Sequence, residues 1–140
     1  MKDSDSLIRF LDAQSNSYEQ ALSEIKSGRK RSHWMWFIFP QLQGLGYSET
    51  ARFYAIKDLE EARLYLQHPV LGPRLIGISK ALLALEGKTA NQILGNPDDL
   101  KLRSSMTLFA SVPGADPVFQ AVLDKYYRGE ADEKTLQLLK

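Results

Sequence analysis

Six consecutive apolar residues, Trp34-Met-Trp-Phe-Ile-Phe39, carry both tryptophans of the chain and follow closely on three cations, Arg29, Lys30 and Arg31. A run this short does not disclose its own period, so it fits a buried strand or a buried helix. The rest of the chain offers a strand nothing to pair with, since there is no Asn-Gly hairpin and no sustained alternation. The helical reading follows, with Ser32 as cap and Pro40 as end. Residues two apart on a helix point about 200° from each other, so Trp34 and Trp36 face opposite ways. A helix apolar on every side belongs inside a protein. Residues 33–40 are therefore predicted as the central element.

The other helices announce themselves by capping residues, whose side-chain oxygens accept from free N–H groups of a first turn. Asp5 or Ser6 opens a helix through Ala13. Ser17-Tyr-Glu-Gln20 reads as a capping box before Ala21, Leu22 and Ile25, with Gly28 as the stop. Gln41 to Tyr47, with Gly44 and Gly46, reads as a loop. Ser48 opens a helix to about Ile56, and Asp58 another that ends near His68, ahead of Pro69. Leu71, Leu75, Ile78, Leu82 and Leu85 recur at helical spacing, with Pro73 in the first turn and Gly77 a point of close packing. Thr89 and Gln92 form a second capping box. Asn96-Pro97 and Asp116-Pro117 each start a helix, the first to about residue 110 and the second to about Gly129. Asp132 caps the last, which carries Leu136 and Leu139. The expected fold is all-α: one domain over residues 1–140, with seven or eight short helices around 33–40.

Its length suits one domain that needs neither metal nor disulfide to fold. With no cysteine, disulfides, thiolate metal sites and thiol catalysis are excluded, and a reducing, cytoplasmic setting is expected. Met1 to Ser6 lacks the apolar core of a signal peptide. The six-residue run falls far short of the ~20 residues that span a bilayer. Eighteen basic and 17 acidic side chains give a net charge of +1, so a nucleic-acid partner is not expected and any anion binding is local.

Arg29, Lys30 and Arg31 fit a phosphate or carboxylate clamp beside free helix N–H groups. They equally fit cations that offset the dipole of the preceding helix. His33 fits a general acid or base, a phosphate donor, or a histidine anchored to a backbone carbonyl. Of Trp34 and Trp36, one is expected in the core and the other either in the core or on a groove where a ring could stack. Gln41 fits a reader of a ligand amide or a turn-stabilising side chain. Lys101, Ser104 and Ser105 share a helix face near Arg103 and Thr107. These hydroxyls either complete a pocket with the first motif or bond back to their own helix. Asp98 and Asp99 read as first-turn acids. With His33 and His68 the only histidines, no His-rich metal site is available.

The stretch Gly28-Arg-Lys-Arg-Ser-His-Trp-Met-Trp-Phe-Ile-Phe-Pro-Gln41 resembles the bacterial family catalogued as domain of unknown function 1810. Gly44-Leu-Gly46, Tyr54-Ala-Ile56, His68-Pro-Val-Leu-Gly72 and Lys101-Leu-Arg-Ser-Ser-Met-Thr-Leu-Phe109 extend the resemblance over nearly the whole chain. It implies a free-standing all-helical domain and no agreed activity. A more distant likeness is to the NADAR group, small helical domains of NAD and ADP-ribose metabolism. It implies a ligand class and no catalytic residue.

The functional expectation is a phosphate-bearing, nucleotide-like small molecule held at a basic–aromatic pocket. The ligand-binding candidates are Arg29, Lys30, Arg31, His33, Trp34, Trp36, Gln41, Lys101, Ser104, Ser105 and Thr107. No cofactor and no metal are expected. The alternative is a protein-interaction or structural module without chemistry.

Overall fold

The apolar run folds into a single helical turn. In the computed structural model, which describes residues 7–140, it forms α3 (Met35–Ile38), flanked by α1 (Ile8–Gln14) and α2 (Tyr18–Lys26) before it and α4 (Glu49–Phe53) after it. Then come α5 (Leu59–Gln67), α6 (Leu71–Ala84), α7 (Ala90–Leu94), α8 (Asp98–Ala110), α9 (Val118–Tyr127) and α10 (Glu133–Leu139). The all-α single domain is as expected, with ten helices among the described residues instead of seven or eight. None of them is long and apolar enough to cross a membrane. The expected start at Asp5 or Ser6 lies outside the described residues.

Local capping chemistry works where nothing distant competes. The side chains of Ser48, Asp58 and Asp132 accept from the amides of Ala51, Glu61 and Thr135. Thr89 and Gln92 close a full capping box. Gly28 takes the left-handed conformation (φ +87°) just past α2. Three expected caps fail, Asn96 making no side-chain cap for α8. Ser17 makes no side-chain cap, and the Gln20 side chain donates through Nε2 to Ser32 and Glu24. Ser32 does not cap the apolar segment, since its hydroxyl donates to Glu24 and α3 begins after Trp34.

The longest unbroken buried run among the described residues lies on α8. This helix packs against α5, α7, α9 and α10, and Ser104 to Phe109 are all buried. Its hydroxyls hide it from a pattern search. Ser104 and Thr107 donate to the carbonyls of Leu100 and Arg103 (3.2 and 2.8 Å), which satisfies them inside an apolar surrounding. Thr107 also accepts from the Asp132 amide at 2.8 Å and so docks α10. The second long helix, α6, packs on α2, α5 and α9. At its corner with α5, a Cβ on Gly72 would stand 2.1 Å from the Leu66 carbonyl oxygen, so no side chain fits there. His68 Nδ1 accepts from the amides of Val70 and Leu71 and turns the chain into α6.

The 41–47 segment is a loop pinned by one parallel bridge between Leu42 and Ile56. The Ile56 amide donates to Gln41 and the Gln43 amide to Ile56, both at 2.8 Å. The expected helix to Ile56 therefore ends at Phe53, since Ile56 is held by extended backbone.

Candidate functional site

The loop between α2 and α3 is organised by a residue the sequence did not single out. Glu24, on the last turns of α2, is buried. Its Oε1 accepts from the amides of Arg31 (2.7 Å) and Ser32 (3.1 Å) and from Trp34 Nε1 (2.9 Å). Its Oε2 accepts from Ser32 Oγ (2.6 Å) and Gln20 Nε2 (3.1 Å). Burial pushes the Glu24 carboxyl up, but the bonds from Ser32, Arg31, Trp34 and Gln20 together outweigh it and lower the pKa to about 2. The amide nest where an external anion was expected thus holds the chain's own carboxylate.

Trp34 is 1% exposed and packs against Phe39, with Lys30 Nζ 5.2 Å from its ring centre. Trp36 is half-buried, and Lys101 Nζ stands 3.6 Å from its ring centre. Asp98, at the start of α8, joins the two pairs: Oδ2 lies 2.9 Å from Lys30 Nζ and Oδ1 3.3 Å from Lys101 Nζ. Two lysines, two indoles and one carboxylate therefore form a single cluster with one net positive charge. Asp98 ties the loop between α2 and α3 to the start of α8, beyond the first-turn acid that its position suggests. Lys30 is further tethered through its amide to Ile93 O at 2.7 Å.

The remaining candidates scatter. Arg29, Arg31 and His33 are exposed, with no side-chain partner among the described residues. Ser105 is 0% exposed and its hydroxyl has no hydrogen-bond partner. These groups do not converge with Ser105 on one pocket, and the hydroxyls of Ser104 and Thr107 are engaged within α8. Arg103 clamps the turn before α10, donating to the carbonyls of Glu130 (2.9 Å) and Ala131 (3.1 Å).

Two candidates do share a cleft. Trp36 and Gln41 line it with Gly46, Ala51, Tyr54 and Arg52. Arg52 is exposed and its guanidinium has no ion-pair partner among the described residues. The enclosed part of the cleft is about 20 Å³, room for roughly one water or one ligand oxygen. The adjoining open cleft, which shares Arg52, also carries Arg9, Phe53 and Lys57. Arg52 was missed because a lone arginine in the last turn of a short helix carries no pattern. Among the described residues no group of three His, Asp or Glu side chains is placed to hold a metal.

A family model described as a protein of unknown function (DUF1810) matches residues 4–139. Among solved structures, the chain is similar to the conserved hypothetical protein Rv1873 from Mycobacterium tuberculosis. The two are 51% identical, the match covers 95% of each chain, and the TM-score is 0.93. No curated protein matches with significance.

Proposed function

We propose, for a chain that belongs to the DUF1810 family of unknown function, that the cleft at Trp36 binds the phosphate of a small nucleotide-like molecule. One observation carries the reading: Trp36 and Gln41 line the same cleft as Arg52, an arginine without an ion-pair partner among the described residues. A guanidinium grips a phosphate in two-pronged fashion and retains its charge at any physiological pH. The enclosed space admits one oxygen and no ring, so the ligand's ring lies outside, along the rim. Lys101, stacked on Trp36, adds positive charge beside the indole. Arg29, Arg31 and His33 take no part in this version of the site. The reading is one of binding, in a bacterial and cytoplasmic setting.

The test is thermal unfolding with inorganic phosphate, a nucleoside and its monophosphate, and ADP-ribose, on the wild type and Arg52→Ala. The phosphorylated compounds are expected to raise the wild-type melting temperature, the nucleoside to leave it alone, and the variant to lose the response. A ligand at 100 times its dissociation constant stabilises by ~2.7 kcal/mol. Equal responses from Arg52→Ala and wild type would end the proposal, as would no response at all.

The interaction-module reading has its own support. Tyr47 is 74% exposed and Phe53 58% exposed. Tyr47 directly follows the cleft residue Gly46, and Phe53 lies between Arg52 and Tyr54. Large aromatics in solvent around a groove are common at protein contacts.

A further inference from the structure

A second cleft lies where the α5–α6 corner meets the loop from α8 to α9. Its apolar walls come from Leu66 on α5, Ile76 on α6, Val112 and Ala115 on the loop, and Phe119 on α9. Leu66, Ile76 and Ala115 are only half-buried, so apolar surface faces water here. The space is about 210 Å³. For scale, an engineered cavity of about 150 Å³ lined by Leu, Ile and Phe stays dry and takes up benzene.

The charged groups at the rim are already engaged. Arg63 donates through both Nε and Nη2 to the Glu60 carboxylate. Asp116 Oδ1 accepts from the Val118 amide at 2.8 Å. An anionic ligand would thus give up water without meeting a free counter-charge, which is unfavourable, and a cation would meet only a carboxylate whose Oδ1 is already held by a backbone amide. Gln67 is exposed, and its amide has no partner among the described residues. It is the one lining side chain with an unengaged polar group that can both donate and accept.

We propose that this cleft is a binding site for a small uncharged molecule of about one or two rings, its apolar body against Leu66, Ile76 and Phe119 and one polar group toward Gln67. The proposal does not rest on the Trp36 cleft, from which it differs in every lining residue.

Phenol and indole are suitable probes, with benzoate and benzylamine as charged probes of like size. Amide shifts in a proton–nitrogen NMR titration of the full chain give the readout. Phenol and indole are expected to produce saturable shifts centred on Leu66, Ile76 and Ala115, and the charged probes none. Ala115→Trp fills the cleft and is expected to abolish the response. Gln67→Trp covers the mouth from an exposed position, so it tests the same point if Ala115→Trp does not fold. The proposal is overturned if neither neutral probe saturates, if benzoate or benzylamine shifts the same amides equally, or if binding survives in a folded variant.

Discussion

Trp34 and Trp36 sit two residues apart, the first just before α3 and the second within it, each beside a lysine held by Asp98, yet they live in different physical settings. Trp34 is sealed in the core with its N–H on a buried carboxylate. Trp36 is half open, with a cation on its face and a cleft at its edge. The difference comes from what surrounds each ring. The Glu24 nest closes over one; the glycine-containing 41–47 loop leaves the other room, and a Cβ on Gly46 would stand 2.6 Å from Ala51 Cβ. The lesson is that one motif supplies both an anchor and a surface, and only the surface is available to a ligand.

The sharpest way to break this contrast is truncation. Trp34→Ala is expected to cost ~3–5 kcal/mol, as large aromatic deletions in cores do, and Trp36→Ala only about 1–2 kcal/mol. Denaturant midpoints at unchanged slope would show it; equal losses would refute the contrast.

Acid probes the anchor alone. The Glu24 pKa is lowered from 4.5 to about 2 in the folded protein. A depressed carboxylate stabilises fully above its unfolded value and loses that contribution as pH falls from about 4.5 toward 2. The loss amounts to roughly 3 kcal/mol. Glu60, lowered by its hydrogen bond to Arg63, fades in acid too, so the measurement is the difference between wild type and Glu24→Gln. That difference should shrink between pH 5 and pH 2.5; a difference independent of pH would contradict the nest.

The smallest effects fall on the bridge. Asp98→Asn should cost ~1–2 kcal/mol, because Lys30 and Lys101 lose their shared carboxylate. Lys101→Met should cost ~0.5–1 kcal/mol and change the emission of Trp36 while leaving that of Trp34 unchanged. Emission from single-tryptophan variants would separate the two rings.

Much of the fold was legible because it is local. Ser48, Asp58, Thr89 and Asp132 each act within three residues, and the apolar face Leu71, Leu75, Ile78, Leu82 needs only helical spacing. What escaped was long-range. Gln20 abandons Ser17 for a partner 12 residues away, and Ser32 gives up its cap for Glu24. Asp98 looked like any first-turn acid because its partner Lys30 lies on a distant loop. In α8, the sequence left open whether the hydroxyls complete a pocket or bond back to their own helix, and Ser104 and Thr107 bond back. Of the residues lining the proposed cleft, the sequence named Trp36 and Gln41, while the internal occupant of the amide nest stayed hidden until the chain was folded.

The unpartnered hydroxyl of Ser105 has a practical side. The chain contains no cysteine, so Ser105→Cys would put the single thiol of the molecule within the unbroken buried run of α8, with no hydrogen bond given up. The rate at which a soluble disulfide reagent reaches that sulfur would time the spontaneous opening of the interior, with no background to subtract.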